Sequence, residues 1–215
     1  MSETVHVLIA DDHPLMLGAL RQAVQGATPD ARISEASDYD TLVRALSDGD
    51  DIDLVLLDLS MPGVRGYSGL MYIRAERPEL PVIVVSANDE PAVMGHCLEF
   101  GAAAFIPKSL PVEAMRKAIQ TVLDGGRWTP DEAGVAAQRP SSLIVRRLAS
   151  LTPQQVRVLM MLSQGLLNKQ IAYELSVSEA TVKAHVSAIL QKLGVESRTQ
   201  AVILAGKVEK AQALS

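Results

Sequence analysis

Three carboxylates, a hydroxyl and an ammonium stand where apolar runs of this chain stop. Asp11 and Asp12 follow Val5 to Ala10, Asp58 follows Leu54 to Leu57, Ser86 follows Val82 to Val85, and Lys108 follows Ala102 to Pro107. Each alone has an ordinary reading as a turn former, helix cap or solvated side chain. Together, on alternate elements, they describe a site. Carboxylates brought together repel unless a cation joins them. A hard divalent ion with oxygen ligands, Mg²⁺, suits such a set and readily bridges phosphate oxygens. Asp58 is then a candidate nucleophile toward phosphorus, since carboxylates form aspartyl phosphates. Mg²⁺, Lys108 and the Ser86 hydroxyl would neutralise or bond the phosphoryl oxygens.

The elements that must position these groups alternate. An unbroken apolar run such as Leu54 to Leu57 reads as a strand buried on both faces of a parallel sheet. Similar runs occur at Val5–Ala10, Ala31–Ala36 (the weakest), Pro81–Val85 and Ala102–Pro107. Between them lie helical patterns: one from Pro14 with Leu15, Leu17, Leu20 and Val24 on one side, and one capped by Asp38 with Leu42, Val43 and Leu46 inward. Others carry Leu70 and Ile73, run from Asp89 to Phe100, and run from Pro111 to Leu123. Five strands alternating with five helices predict a parallel sheet covered on both faces. All strand ends of one polarity share one edge, and open α/β sheets place their ligands there.

Composition sets outer bounds. The chain has 215 residues, 48% of them apolar but only 3% aromatic, which allows two modest aliphatic cores. The single cysteine, Cys97, excludes an intrachain disulfide framework and reads as a small buried hydrophobe. No signal-peptide pattern or membrane-length apolar run is present, so a soluble, cytoplasmic protein is expected. Charge is uneven: 18 acidic against 9 basic side chains up to residue 123, but 4 acidic against 7 basic after residue 150. An acidic first part and a mildly basic last part suggest two jobs.

The organisation expected is a first domain over 1–124, a linker over 125–147 and a small all-α domain over 148–215. The linker is marked by Gly125-Gly126, Pro130, Gly134 and Pro140-Ser141-Ser142, with a short Ala-rich piece between. Its Trp128 is expected to pack on the first domain, with the second domain as the alternative. After it, Thr152 and Gln155 form a helix-start signature, and Asn168 is expected to cap a short helix. Ser176-Val177-Ser178 makes a turn before a longer helix, Glu179 to Leu193, stopped by Gly194. A last helix starts near Arg198. A short helix, a tight turn and a longer helix is the helix-turn-helix plan. On the longer helix Val182, Val186, Ile189, Leu190 and Leu193 form an apolar stripe. Ala180, Lys183, Ala184, Ser187 and Gln191 lie opposite, small and polar enough to approach base edges in a major groove. Lys169, Lys192 and Arg198 flank that face and could meet phosphates.

Residues 5–123 resemble a two-component receiver domain. The resemblance rests on Asp11-Asp12, on Asp58-Leu59-Ser60-Met61-Pro62-Gly63, on Ser86-Ala87 and on Phe105-Ile106-Pro107-Lys108. It implies a flavodoxin-like five-stranded parallel sheet. It also implies that Asp58 accepts phosphate from a sensor histidine kinase, and that Asp11 or Asp12, Asp58 and the backbone carbonyl of Ser60 hold Mg²⁺. Ser86 would swing toward the phosphoryl group and Phe105 would turn inward. One position departs from the pattern. Many receivers carry Pro directly after the lysine in a cis bond, but Ser109 follows Lys108 here. A non-proline cis bond costs roughly 2.5–4 kcal/mol, so this loop is expected to be built differently.

The last part resembles the LuxR-type DNA-binding domain, through Leu151-Thr152-Pro153-Gln154-Gln155-Val156, Asn168-Lys169-Gln170-Ile171-Ala172, Thr181-Val182-Lys183-Ala184-His185 and Lys192-Leu193-Gly194-Val195. The whole chain is thus similar to a NarL/FixJ-type response regulator. That similarity implies that Lys183 reaches the groove, with Thr181, Ala184 and Ser187 near it. It further implies promoter DNA, a homodimer on that DNA and RNA polymerase as partners, and no catalysis beyond the receiver's own phosphoryl transfer and slow autodephosphorylation. The unphosphorylated receiver is expected to cover the recognition helix. Two alternatives stay open. A small phosphohydrolase would also use an aspartyl nucleophile, although its usual second Asp is Ser60 here. A receiver could also bind partners without being phosphorylated.

Overall fold

The computed structural model describes residues 4–47, 51–130 and 143–213. The first 130 residues alternate strand and helix: β1 (His6–Ala10), α1 (Pro14–Ala27), β2 (Arg32–Ala36), α2 (Tyr39–Ser47), β3 (Leu54–Asp58), α3 (Ser68–Glu76), β4 (Val82–Ser86), α4 (Pro91–Glu99), β5 (Ala104–Pro107) and α5 (Val112–Leu123). All strands pair in parallel, in the order β2-β1-β3-β4-β5. β3 is therefore central. Ala10, Asp58, Ser86 and Pro107 lie at the same edge, as the sequence pattern predicts.

Strand residues alternate between two cores. Val7, Ile9, Leu54, Leu56, Ile83, Val85 and Ile106 pack with Leu20, Val24, Met115 and Ile119 of α1 and α5. Leu8, Val55, Leu57, Val82, Val84 and Phe105 face the other way, toward Leu42, Leu70, Ile73, Val93 and Cys97 of α2, α3 and α4. Full burial of one such aliphatic side chain contributes about 1.5–3 kcal/mol, so continuous apolar strands hold the site edge rigid. Cys97 is a buried free thiol, and desolvation pushes its pKa up, away from reactivity.

Trp128 lies beyond α5 and packs against the first domain. Its N–H donates to Ala103 O (3.2 Å) and its carbonyl accepts from Phe105 N–H (3.3 Å), which adds one parallel bridge at the β5 edge. The Ala-rich piece and Pro140-Ser141-Ser142 lie outside the described residues. Every peptide bond among the described residues is trans, that of Lys108-Ser109 included.

The remaining helices are α6 (Leu143–Ala149), α7 (Pro153–Ser163), α8 (Asn168–Glu174), α9 (Glu179–Leu193) and α10 (Arg198–Ala213). Thr152 and Gln155 form a reciprocal cap on α7: Gln155 N–H donates to Thr152 Oγ1 (3.4 Å) and Thr152 N–H to Gln155 Oε1 (3.0 Å). Asn168 is not the cap of α8, contrary to expectation. It is the first helical residue, and Gln170 Oε1 reaches back to accept the Leu167 N–H at 2.8 Å. In the α8–α9 turn Ser176 takes φ 53°, alone among described non-glycine residues in the left-handed region, and Ser178 Oγ then caps α9 by accepting Thr181 N–H at 3.0 Å. α9 ends at Gly194, φ 67°, where a Cβ would sit 2.7 Å from Arg147 Nη1. The left-handed backbone favours glycine there, and a side chain would displace Arg147, whose Nη1 donates to Leu193 O (2.9 Å) and ties α6 to the end of α9.

The two halves pack against each other through α3 and α4 on one side and α6, α7 and α10 on the other. Tyr67, Met71 and Phe100 meet Leu148, Val156, Leu159, Met160, Ala205 and Val208. The expectation that the receiver half covers the recognition helix is corrected here. Ala180, Lys183, Ala184, Ser187 and Gln191 of α9 are all exposed. The cause is chemical: that face offers no large apolar side chain to bury, whereas α7 and α10 do.

Candidate functional site

Backbone hydrogen bonds fix the edge where the strands end. Asp11 N–H donates to Ala36 O (3.0 Å), and Lys108 N–H to Ser86 O (2.7 Å). These bonds tie the β1 exit to the end of β2 and the β5 exit to the end of β4, on either side of β3. Asp11 and Asp58 are almost fully buried, and the Lys108 side chain is 13% exposed. Lys108 Nζ lies 2.9 Å from Asp58 Oδ2 and 2.9 Å from Asp11 Oδ2; the first contact is an aligned hydrogen bond. Asp58 Oδ1 accepts Ser60 N–H at 3.1 Å, so both carboxylate oxygens are oriented. The Ser86 hydroxyl accepts Asn88 N–H at 3.1 Å and is buried at the same edge. Phe105 is fully buried.

Electrostatics follow from this crowding. Burial raises the Asp58 pKa, and Lys108 opposes it without cancelling it. Burial lowers the pKa of Lys108, but the carboxylates of Asp11 and Asp58 more than offset that and raise it. One ammonium against three carboxylates leaves two negative charges at the strand ends. A divalent cation with oxygen ligands matches both the charge and the donors. Asp11, Asp12, His13 and Asp58 each present a ligand atom, all within 4.8 Å of one another.

His13 is the residue that sequence reasoning passed over. It precedes α1 with an extended backbone and makes no side-chain cap. Its Nδ1 instead lies 3.0 Å from Asp12 Oδ1, 3.1 Å from Asp11 Oδ1 and 3.7 Å from Asp58 Oδ2. The only signal was its place between the acidic pair and the helix-starting Pro14.

The loop after Asp58 is braced on both sides. Tyr39 N–H donates to Pro62 O (3.0 Å), and Gly63 has φ 79° with Tyr39 Cβ only 2.9 Å from where its own Cβ would lie. No other residue fits so close an approach. Two residues on, Arg65 Nη1 donates to Ser163 O of α7 at 3.3 Å.

The second candidate surface is the outer face of α9. Lys183, Ala184 and Ser187 are exposed, as are Thr181 and, on α8, Lys169. Lys183 Nζ rests 3.2 Å from Glu179 Oε1, one turn earlier. Two of the expected cations are employed inside the domain. Lys192 Nζ donates to Ser150 O (2.7 Å) and Gln155 Oε1 (2.8 Å), and Arg198 Nη2 donates to Leu166 O (2.8 Å).

Both halves match known families. Residues 7–120 match the response regulator receiver domain, and residues 149–205 match the bacterial regulatory proteins of the luxR family. The chain belongs to the NarL-type response regulators. Like them, this regulator joins a receiver to a LuxR-type helix-turn-helix domain, and its relatives are transcriptional regulators. The glycerol metabolism activator of Pseudomonas putida is 39% identical over 212 residues, covering 94% of this chain and 96% of that protein. The nitrate/nitrite response regulator NarP of Escherichia coli K12 is 32% identical, with 92% and 93% covered. The response regulator RcsB in complex with DNA superposes with a TM-score of 0.57 at 25% identity, covering 95% of this regulator and 98% of that chain. No described helix of the regulator is long and apolar enough to cross a membrane.

Proposed function

We propose that this regulator is switched by phosphorylation of Asp58 and then binds promoter DNA through α9. The observation that carries the reading is the strand-end cluster: a buried, oriented Asp58 against Lys108, with a second buried carboxylate beside them. The phosphodonor is the phosphohistidine of a sensor kinase. The Asp58 carboxylate attacks phosphorus, an O–P bond forms, and the P–N bond to the donor imidazole breaks. Asp11, Asp12, Asp58 and the Ser60 carbonyl would hold Mg²⁺, which supplies charge neutralisation to the phosphoryl oxygens when bound. Lys108 donates to one phosphoryl oxygen and the Ser86 hydroxyl to another, and slow autodephosphorylation is the only turnover.

Phosphorylation adds about −1.5 to −2 charges to an already acidic edge. The loop that carries Asp58 also carries Arg65, which bonds α7, and it runs directly into Tyr67 and α3. Release of Ser86 and Lys108 toward the phosphoryl group therefore loosens the seam against α7 and α10. Freed α10 surface lets two copies pair on DNA. Half-sites about 10 bp apart suit such a homodimer. Lys183 reaches the major groove beside Thr181, Ala184 and Ser187, and Lys169 lines the phosphate side, while Lys192 and Arg198 stay engaged by Ser150, Gln155 and Leu166 and brace the domain instead. The domains divide at 1–124, 125–147 and 148–215, with α6 crossing the last boundary. RNA polymerase at the promoter and a cytoplasmic location complete the reading, and the name of the P. putida relative supports activation.

Intact-mass measurement after incubation with acetyl phosphate and Mg²⁺ tests it. One phosphoryl adduct on the native protein and none on Asp58→Asn is expected. An adduct of equal yield on Asp58→Asn, or none on either protein, would reject Asp58 as the acceptor.

A further inference from the structure

We propose that Arg147 is a positioning residue for DNA recognition. From α6 it grips the end of α9, and because α6 also packs on the receiver, that grip makes the setting of the recognition helix depend on the receiver. The first half rests on α9 entering the groove, the second on phosphorylation of Asp58 as well.

α6 lies almost wholly between the two family matches, which end at residue 120 and begin again at residue 149. It has two sets of neighbours. One is α3 and α4 of the receiver, where Leu148 lines the seam with Tyr67, Met71 and Phe100. The other is α9 and α10.

The last carbonyls of a helix have no intrahelical partner, and that end carries partial negative charge. In α9 the turn at Gly194 satisfies two of them: Val195 N–H donates to Leu190 O (3.0 Å) and Gly194 N–H to Gln191 O (3.2 Å). Leu193 O is taken by Arg147 Nη1 at 2.9 Å, a charged donor on a partial negative charge. Arg147 Nη1, Cζ and Nη2 all lie within 3.1 Å of where a Gly194 Cβ would sit, so the guanidinium is lodged against the backbone at the helix end. The grip runs in both directions. Lys192 Nζ, from the last turn of α9, donates to Ser150 O (2.7 Å) just after α6, and Ser150 Oγ donates to Arg147 O (2.7 Å). Arg147, Ser150, Lys192 and Leu193 thus close a ring of bonds across the two elements.

Leverage makes this matter for recognition. Lys183 stands ten residues before Leu193, about 15 Å along the axis. A tilt of about 5° about the gripped end moves Lys183 by about 1 Å, which takes a hydrogen bond of about 2.9 Å out of range. The outer face of α9 is exposed, so the receiver does not act by covering it. α7 also packs on both α3 and α9. Apolar packing of that kind is non-directional, whereas the Arg147 bond fixes a distance and an angle.

The test is binding of the full-length protein to two duplexes: the sequence that native protein enriches from a random library, and a scrambled duplex of the same composition. Native protein, Arg147→Met and Arg147→Lys are compared at one salt concentration, with Lys183→Ala alongside. Non-specific binding is electrostatic and tolerates a misplaced helix, whereas base contacts do not. Arg147→Met should therefore lose about 5–150-fold on the enriched duplex, the worth of one good base contact, and nearly nothing on the scrambled one. Arg147→Lys, which keeps a charged donor, should recover part of the loss. Equal loss on both duplexes would mean general damage to the domain, and no loss on either would mean an idle contact; each overturns the assignment. Lys183→Ala separates this from failure of the premise. Full affinity of that variant for the enriched duplex would take α9 out of the groove and Arg147 with it, whereas a loss there beside an unaffected Arg147→Met sinks Arg147 alone. Acetyl phosphate treatment of the same samples, with the Asp58 adduct followed by intact mass, reads the link to the receiver. Native protein should gain on the enriched duplex when the adduct forms, and Arg147→Met should gain less. An equal gain in both would overturn the link through α6. Absence of any adduct would reject the acceptor and the link with it, while the positioning result stands.

Discussion

The strand-end pocket and the outer face of α9 differ in almost every physical respect. The pocket is buried and crowded: Lys108 lies 2.9 Å from both Asp11 and Asp58, the two carboxylates raise the pKa of Lys108, and Lys108 partly opposes the upward push of burial on Asp58. The α9 face is open, small-sided and nearly unfurnished, with one lysine held loosely by Glu179. A buried polar group must be matched in place, so residue type and position specify chemistry there. An exposed face takes its partners from outside, so residue type specifies little beyond reach and charge. The pocket should therefore respond steeply to single changes, and the face gradually.

The largest effect is expected from Lys108→Ala. It removes the donor aimed at the transferring phosphoryl group, and a lost donor of that kind costs about 10²–10³ in rate. Asp58 labelling by acetyl phosphate should slow by that factor, followed by intact mass over time. A loss below tenfold would mean that Lys108 holds the resting pocket together without serving the transfer.

Next is Lys183→Ala. If Lys183 reads a base edge, the change costs about 1–3 kcal/mol and relaxes sequence preference at one position. If it meets phosphate, binding weakens uniformly and the salt slope falls by about 1. Footprinting and binding isotherms at several salt concentrations tell these apart. Unchanged affinity would remove α9 from the groove.

A smaller effect concerns stability. The folded-state pKa of Asp58 is raised by burial. A raised carboxylate favours the folded state below its ordinary pKa, and that contribution is lost as pH rises through the folded value. At neutral pH the ionised Asp58 thus opposes folding. Asp58→Asn should raise Tm at pH 7, by about 2–4 °C for each kcal/mol recovered. The difference should close as pH falls through the raised pKa. A gain that is independent of pH would assign it to packing instead.

The same contrast explains what could be read from sequence. Apolar runs ending in Asp58, Ser86 and Lys108 are conspicuous together, because a parallel sheet brings all those strand ends to one edge. The alternation of strands and helices, the parallel sheet and the cluster followed. His13 was hidden, because a half-exposed residue before a helix can turn either way, and only its backbone conformation aims the ring inward. Lys192 and Arg198 look like surface cations in sequence. Their partners are the backbone carbonyls of Ser150 and Leu166, which carry no residue signature. Tyr67, Met71 and Phe100 read as ordinary core, since an interdomain seam and a domain interior use the same side chains.

That seam joins the two regions, and it yields the smallest expected effect. Arg65 stands seven positions after Asp58 and donates to Ser163 O at the end of α7, in an exposed contact. A single hydrogen bond there contributes at most about 0.5–1.5 kcal/mol. Arg65→Ala should therefore leave phosphoryl transfer untouched, since the side chain is not part of the acidic cluster. It should raise DNA affinity of the unphosphorylated protein by no more than about tenfold, the factor that such an energy allows. Phosphorylated protein should bind equally with or without the change, because the seam is already open. The pairing of those two results is the informative part. Higher resting affinity with unchanged phosphorylated affinity places Arg65 on the path from pocket to α9. Equal shifts in both states would mean that Arg65 acts on DNA directly, and the coupling would have to run through Tyr67 and α3 alone.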